Sequence, residues 1–221
     1  MRCGRIIECS QGTPEWHAAR CGRVSGSRIA DVTAKGKGSA PSVTRANYLA
    51  EVAAERLTGL QEPGGFQSAA MRDGKDREPK ARGLYAFLHC NVPVSTVGFV
   101  LHPTFEMAGA SPDTLIGDEG LAEHKCPLIA THMDWLLGGS VDGRYLKQMQ
   151  WQMACTGRLW TDFVSYHPSL PFEMQLHVRR IPRDDAMIAD LEKEVQAFLR
   201  EVDERVDKLR KLYPGSVSEA A

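Results

Sequence analysis

The stretch LAEHKCP places an acid, an imidazole and an amine inside a segment that otherwise has the composition of a buried strand. Alternate side chains of a strand share a face, so we expect Glu123 and Lys125 on one face and His124 on the other. Asp113 lies ten positions before Glu123, and the Asp-Glu-Gly sequence between them is typical of a turn that joins paired strands. If these strands pair, two carboxylates and one ammonium group share a single patch of sheet.

This combination of charges suits the hydrolysis of a phosphodiester. Two carboxylates held close together repel each other unless a positive charge neutralises them. Mg²⁺ does this well, because it prefers oxygen ligands and keeps several of its waters. A bound phosphodiester supplies further oxygens, and a metal ion activates water for attack on phosphorus. Lys125 would orient that water and offset the charge that develops on the phosphoryl oxygens.

The same residues also permit simpler interpretations. The pattern of an aspartate followed, after a gap, by Glu-x-Lys occurs by chance in many sequences. An exposed Glu/Lys pair on an edge strand also discourages aggregation. The apolar lead-in of Leu121 and Ala122 and the stop at Pro127 favour the catalytic interpretation. His124 and Cys126 have the chemistry of zinc ligands, but no second pair completes a zinc site. A packed histidine and a small buried thiol are therefore favoured.

The elements that must position these residues are predicted from periodicity and turn signals. Helices are expected within residues 12–34 (two short ones), 43–59, 77–89, 129–139 and 143–157. Strands are expected within residues 95–103, 105–117, 121–127, 162–168 and 174–183. A last amphipathic helix starts near residue 184, with one apolar face formed by Ile188, Leu191, Val195, Phe198, Leu199, Val202, Val206 and Leu209.

Local signals place several helix ends and set the fold class. Thr13 and Pro14 are expected at the start of the first helix, and Ser25 or Ser27 at the start of the second. Gly59 is expected to end the helix within residues 43–59. The order of helices and strands argues for one domain of the α/β (α+β) class, with a central mixed β-sheet flanked by helices.

The composition is that of an ordinary globular protein, with 221 residues of which 43% are hydrophobic and 25% charged. The net charge of −1 excludes a protein that holds DNA by being basic all over, so DNA binding needs a local patch. One candidate patch, for which a solvated helix face is the alternative, consists of Arg72, Lys75, Arg77, Lys80 and Arg82. No apolar run reaches the roughly 18 residues of a membrane span, and the six cysteines are scattered. We expect a soluble intracellular protein with reduced thiols and no membrane partner.

Three blocks of sequence carry a resemblance to a known family. The motif SPD-x9-EHKCP resembles the core of the PD-(D/E)XK nuclease superfamily, and more narrowly of the phage lambda exonuclease and YqaJ-type viral recombinase family. QGTPEWHAARCGRVSGSRIADV resembles that family's opening, and GRYLKQMQWQMACTG resembles its later glutamine-bearing helix. The blocks span about residues 11–157 in the family's order. The resemblance implies a restriction-endonuclease-like core and one alkaline-exonuclease-type nuclease domain over residues 1–221.

The resemblance implies a role for each residue of the motif. Asp113 and Glu123 would be metal ligands, with the main-chain carbonyl of His124 as a third. Lys125 would be the catalytic lysine, and Gln148 would lie at the rim of the metal site and help to position the lysine or the attacking water.

The resemblance also assigns residues outside the motif. Glu78 would be an extra catalytic acid from a preceding helix. Because Pro79 follows it, and proline is unfavourable deep in a helix, the alternative that Glu78 caps that helix stays open. Arg20 and Ser27 would hold a terminal 5′-phosphate, a role that suits a guanidinium fork and a helix N-terminus near Ser27.

The implied function is 5′-to-3′ exonuclease activity in phage recombination. Family members degrade one strand of linear double-stranded DNA from 5′-phosphorylated ends, and the 3′ overhangs serve single-strand annealing. The resemblance thus implies Mg²⁺ as cofactor, with Mn²⁺ as a substitute, a homotrimeric ring, and a single-strand annealing recombinase as partner. It implies a phage or prophage protein in the cytoplasm of a bacterial host. The alternatives are an endonuclease or helicase-associated nuclease of the same fold, and a non-catalytic DNA-binding module.

Overall fold

The structure is a computed structural model that describes residues 3–36, 42–61, 69–88 and 92–214, with the backbone alone described at 69–71. Within these ranges the helices are α1 (Pro14–Arg20), α2 (Ile29–Val32), α3 (Val43–Thr58), α4 (Ala69–Leu88), α5 (Ile129–Leu136), α6 (Gly143–Thr156), α7 (Phe172–Gln175) and α8 (Asp185–Leu212). The strands are β1 (Ile6–Ile7), β2 (Val24–Ser25), β3 (Val94–Ser95), β4 (Phe99–Leu101), β5 (Ala108–Ala110), β6 (Thr114–Ile116), β7 (Gly120–Lys125), β8 (Trp160–Tyr166) and β9 (Leu176–Pro182). A 3₁₀ turn spans Gly26–Arg28.

The strands form two mixed sheets with helices packed against them, which confirms the predicted fold class. One sheet has the order β1-β4-β5-β2 and the other β3-β6-β7-β8-β9. The second sheet is antiparallel except where β7 and β8 run parallel. The predicted strand within residues 105–117 is divided between the two sheets. It breaks at Ser111 and Pro112, where proline lacks the N–H that a continuous strand would donate.

The helix ends follow local chemistry at two of the three predicted places. The Thr13 side chain accepts a hydrogen bond from the Trp16 N–H, and Pro14 occupies the first turn of α1. Gly59 ends α3 in the left-handed region, with φ of 67°. The predicted serine caps are wrong, because the turn at Gly26–Arg28 begins with no side-chain cap. The chain there passes from a strand directly into a 3₁₀ turn, which is too short to present a full helix N-terminus.

Helix α4 differs most from its prediction, because it begins at Ala69 instead of near residue 77. Pro79 was expected in a first turn, but it lies in the middle of a 20-residue helix, where it removes one backbone donor. Fully buried Ala81 and Tyr85 follow it, and the helix packs on β7 and β8. Tertiary packing therefore outweighs the local cost of proline. Glu78 lies in the middle of α4, which excludes the alternative that it caps this helix.

The main core lies between α8, α3 and α6. The apolar face of α8 is buried as predicted from Ile188 to Val206, whereas Leu209 is half-buried. It contacts Tyr48 of α3, whose ring stacks on Phe198 at 5.4 Å. Helix α6 is buried along its whole second half, from Met149 to Thr156. This helix carries both hydrophobic core residues and, on its sheet-facing side, glutamines.

Two further predictions concern thiols and membranes. The described cysteines are all free thiols, namely Cys3, Cys9, Cys21, Cys126 and Cys155. Cys90 lies outside the described residues. In the part of the chain that the structure describes, no helix combines the length and apolar character that a bilayer span requires.

Candidate active site

The hairpin of β6 and β7 brings the motif residues together. The strands are antiparallel, with Thr114 paired to Ala122, so Asp113 lies across from Glu123 at the open end of the hairpin. Glu123 and Lys125 lie on one face and contact each other. His124 lies on the opposite face, where its Nε2 is 3.1 Å from Thr114 Oγ1. The alternation expected from the sequence is therefore the observed one.

The closed end of the hairpin is fixed by close packing. Gly117 adopts φ of +49° in the turn. A Cβ on Gly120 would lie 2.1 Å from the Trp160 ring, so this position requires glycine. Arg158 Nη1 donates to the carbonyl oxygens of Ile116 at 3.2 Å and of Gly117 and Gly120 at 2.7 Å. These contacts hold the register that places Asp113 opposite Glu123.

The Glu123 carboxylate is the centre of the site. It is 2% exposed and accepts hydrogen bonds at both oxygens. Lys125 Nζ and Gln148 Nε2 each donate to Oε1 at 2.6 Å, and Gln152 Nε2 donates to Oε2 at 2.6 Å. Gln152 was not identified from the sequence. Its position one helical turn after Gln148, on the same face of α6, was the available signal.

The charges of the site influence one another strongly. Burial raises the pKa of Asp113, and the nearby Glu123 raises it further, while Lys125 opposes both effects. Asp113 Oδ2 accepts a hydrogen bond from the His124 N–H at 2.8 Å. Burial alone would lower the pKa of Lys125, but Glu123 and Asp113 outweigh it and raise that pKa above its usual value. Lys125 is therefore an ammonium ion at neutral pH.

Glu78 of α4 joins the same cluster. Burial raises the pKa of its carboxyl group, with Lys125 lowering and Glu123 raising it. Glu78, Lys125 and Tyr145 line a cleft of about 380 Å³ above the sheet. Lys125 Nζ lies 4.9 Å from the centroid of the Tyr145 ring. We call Asp113, Glu123, Lys125, Glu78 and Gln148 together the acidic site.

The donor set fits a hard divalent cation better than zinc. Within residues 3–36, 42–61, 69–88 and 92–214, no three His, Cys, Asp or Glu side chains form a metal-binding group. Mg²⁺ is commonly held by one or two carboxylates, with waters and phosphate oxygens completing its shell, so Asp113 and Glu123 suffice. Burial lowers the pKa of His124 to about 3 and raises that of Cys126 to about 12. His124 is therefore a packed, neutral imidazole, as the sequence favours, and Cys126 is a half-buried, protonated thiol.

A second pocket lies around Arg20. It has a volume of about 310 Å³, and its lining includes Arg20, Ser25, Ser27, Arg28 and Tyr48. Arg20 Nη2 donates to Ser25 Oγ at 3.4 Å, and the hydroxyls of Ser25 and Ser27 are 3.3 Å apart. Arg20 Nε is buried with no hydrogen-bond partner among the described residues. We call this the Arg20 pocket.

Electrostatics distinguish Arg20 from its neighbour Arg28. Burial lowers the pKa of Arg20, and the structure describes no salt bridge to it. Arg28 Nη1 and Nη2 instead donate to Glu51 at 2.8 and 3.0 Å, and Nε donates to Asp31 at 2.5 Å. Arg28 is thus neutralised within the protein. Arg20 keeps donor capacity for an anion.

Trp16 connects the Arg20 pocket to the acidic site. The Arg20 guanidinium lies 4.1 Å from the centroid of the Trp16 ring. Trp16 Nε1 donates to Ser111 Oγ at 2.8 Å, two residues before Asp113. Lys75 lines both the pocket and the cleft above Lys125. The Trp16–Ser111 contact could not be predicted from local sequence patterns, because 95 residues separate the two.

Comparisons with known proteins found one family model and several similar solved structures. Residues 15–159 match the YqaJ-like viral recombinase domain. No curated protein matches the chain in sequence. An alkaline exonuclease from Laribacter hongkongensis, LHK-Exo, is 47% identical over 92% of this chain and 99% of its own, with a TM-score of 0.83. Its complex with dAMP matches with the same values. A phage-related exonuclease from Haemophilus somnus 129PT is 16% identical over 85% of this chain and 96% of its own, with a TM-score of 0.64, a likeness of fold alone.

Proposed function

The chain belongs to the family of the YqaJ-like viral recombinase domain, and we propose that it is a Mg²⁺-dependent exonuclease that degrades linear duplex DNA from 5′-phosphorylated ends. The observation that carries the proposal is that Asp113, Glu123 and Lys125 lie close together on one hairpin, beside the cleft that Lys125 and Glu78 line. The name of the 47% identical relative, an alkaline exonuclease, supports the nuclease assignment. That relative was also crystallised with dAMP. A deoxynucleoside monophosphate is what cleavage one nucleotide at a time would release.

The residues of the acidic site divide the chemistry between them. A divalent metal held by Asp113 and Glu123 would polarise the scissile phosphate and lower the pKa of the attacking water. The Lys125 ammonium offsets the negative charge that grows on the phosphoryl oxygens. Water oxygen bonds to phosphorus, the bond from phosphorus to the 3′ oxygen of the terminal nucleotide breaks, and that oxygen takes up a proton. The phosphate remains on the next nucleotide as a new 5′ end.

The Arg20 pocket supports the 5′-to-3′ direction. A pocket lined by arginines and hydroxyls, in which Arg20 Nε has no hydrogen-bond partner within the described part of the chain, fits a terminal phosphate. Trp16 links it to the loop of Asp113, so a phosphate there would lie near the acidic site. Each turnover leaves a 5′-phosphate on the shortened strand. The product of one step is therefore the ligand that the pocket needs for the next.

The proposal extends to duplex DNA and to assembly. Basic residues of α4 are exposed beside the cleft, including Lys75 and Lys80, and would follow the phosphate backbone. With a net charge of −1, the chain cannot stay on DNA by bulk attraction alone. A homotrimeric ring around the duplex would prevent dissociation, and a single-strand annealing protein would bind the 3′ overhang. A solution mass of 24.4 kDa for the active enzyme, the mass of one chain, would contradict the ring.

A time course on 5′-labelled linear duplex tests the function. With Mg²⁺ we expect the label to appear first as a mononucleotide, and with chelator we expect no release. Linear duplex with a 5′-phosphate should be degraded faster than linear duplex with a 5′-hydroxyl. Closed circles, which have no ends, should remain intact. Equal cleavage of all three would support an endonuclease, and binding without cleavage would support a non-catalytic module.

A further inference from the structure

Gln152 occupies an unusual position beneath the acidic site. It lies one turn after Gln148 on α6 and is 1% exposed. An ionised carboxylate only accepts hydrogen bonds, so both glutamines must present their amide N–H groups to Glu123. Gln148 donates to Oε1 in a partly buried contact, and Gln152 donates to Oε2 in a fully buried contact. Gln152 is the single described donor to Oε2.

The other end of the Gln152 amide is unsatisfied. Its Oε1 is buried with no hydrogen-bond partner among the described residues. Leaving a buried carbonyl oxygen unpaired costs free energy, and methionine would fill a similar volume without that cost. Packing alone therefore does not favour glutamine here. The benefit must come from the one bond that the side chain does make, to Glu123.

Gln150 on the same helix shows what a structural glutamine looks like. It is 3% exposed and uses both ends of its amide. Its Nε2 donates to the Pro182 carbonyl oxygen at 2.8 Å, and its Oε1 accepts from the Asp184 N–H at 2.8 Å. These bonds join α6 to the start of α8, away from Glu123. Gln150 and Gln152 are thus equally buried on one helix, yet only Gln152 contacts the acidic site.

We propose that Gln152 is a positioning residue for Glu123, which fixes the rotation of the carboxylate so that it can serve as a metal ligand. The inference rests on the proposed function, because it assumes that Glu123 binds a divalent metal. Gln152 is 1% exposed, so it would act through Glu123 and not by touching DNA. Lys125 and Gln148 both bond to Oε1, so without Gln152 no side chain among the described residues restrains Oε2.

The test compares Gln152→Met with Gln150→Met in the full chain. Mn²⁺ binding is measured by calorimetry without DNA, kcat and KM are measured on 5′-phosphorylated duplex, and Tm is measured in chelator. For Gln152→Met we expect the Mn²⁺ dissociation constant to rise about 10- to 100-fold, as for other residues that orient a metal ligand. The kcat should fall while KM for DNA is unchanged. Gln150→Met should lower Tm and leave Mn²⁺ binding unchanged.

Other outcomes separate the inference from the proposed function. Unchanged Mn²⁺ binding in Gln152→Met, with a lower Tm, would show a merely structural residue and overturn the inference. Equal loss of Mn²⁺ binding in both variants would overturn it too, since the cause would be distortion of α6. Gln152→Leu repeats the test if the methionine variant does not fold, and failure of both to fold would also count against it. Absence of Mn²⁺ binding in the unaltered protein would instead reject the proposed function.

Discussion

The acidic site and the Arg20 pocket are neighbouring charged regions that satisfy their charges in opposite ways. Glu123 accepts three hydrogen bonds from Lys125, Gln148 and Gln152, so its charge is compensated within the protein. Arg20 has one long contact to a hydroxyl and a buried Nε with no partner in the described part of the chain. The acidic site is organised in advance, whereas the Arg20 pocket keeps its donors for a ligand.

This difference shows which property of each region to perturb. In the acidic site, removal of one residue disturbs a network, because Lys125, Gln148 and Gln152 all bond to the same carboxylate. In the Arg20 pocket, removal of one residue deletes a binding group and leaves the rest intact. We therefore expect variants of the first to lose catalysis on every substrate. Variants of the second should lose only the preference for a phosphorylated end.

The largest effect is expected for Lys125→Ala. Loss of the ammonium group removes the positive charge that opposes charge build-up on the phosphoryl oxygens, and kcat should fall about 10²- to 10³-fold. DNA binding, measured by fluorescence anisotropy in Ca²⁺, should survive, because the exposed Lys75 and Lys80 would still contact the phosphate backbone. Lys147→Ala is the control. Lys147 lies on α6 beside Gln148, but its Nζ donates to Thr33 Oγ1, outside the acidic site. Unchanged cleavage by Lys125→Ala would remove the lysine from the mechanism.

The next largest effect is expected for Arg20→Lys. Lysine keeps the charge but loses the planar fork and the contact with the Trp16 ring. Charged hydrogen bonds contribute roughly 1.5–3 kcal/mol, so degradation of 5′-phosphorylated duplex should slow about 10- to 100-fold. The rate on 5′-hydroxyl duplex should not change. A similar loss on both substrates would mean that Arg20 supports the fold instead of reading the end.

A smaller effect is expected on the pH dependence of the free energy of unfolding, and it concerns the acidic site. Burial raises the pKa of Glu78 and of Asp113 in the folded protein. Between the unfolded pKa of about 4 and those raised values, the folded state binds more protons than the unfolded state. These two carboxyl groups should therefore lower the stability of the metal-free protein as pH rises through that window, opposite to the usual carboxylate behaviour. Buried His102 and His124, whose pKa values are lowered, contribute in the other direction, so the comparison is made against a variant.

The measurement is Tm in chelator between pH 4 and 8, with Glu78→Gln beside it. The variant should show a shallower fall, because one of the two carboxyl groups no longer titrates. The matched control is Glu119→Gln, in the exposed turn between β6 and β7. The same pH dependence of Tm in Glu78→Gln and in the unaltered protein would contradict the raised pKa of Glu78.

The acidic site was largely predictable from the sequence because its key contacts are local. The turn between β6 and β7 and the alternation along β7 bring Asp113, Glu123 and Lys125 together over a short segment. The position of Glu78 within α4 was less accessible, because Pro79 is a local signal for a helix start. Buried Tyr85 and the sheet beneath it extend the helix through that proline.

The Arg20 pocket and the partners of Glu123 depend on contacts between distant segments. Gln152 meets Glu123 across 29 positions, and Trp16 meets Ser111 across 95. No periodicity or turn signal predicts such pairs. They can be identified only once the packing of the helices on the sheet is known. The division of the strands into two sheets has the same origin. The proline at residue 112 predicts where the strand breaks. It does not predict that β5 and β6, on either side of it, belong to different sheets.

The smallest effect is expected at the link between the two regions, in Trp16→Phe. Phenylalanine keeps an aromatic face under Arg20 and deletes the Nε1–H that bonds to Ser111 Oγ at 2.8 Å. One neutral hydrogen bond contributes about 0.5–1.5 kcal/mol, so kcat should fall roughly 2- to 12-fold while the preference for a 5′-phosphate persists. In a double-mutant cycle with Ser111→Ala, the two losses should not add, because both variants delete the same bond. Additive losses would show that Trp16 and Ser111 act separately, and that the Arg20 pocket and the loop of Asp113 are not coupled through this contact.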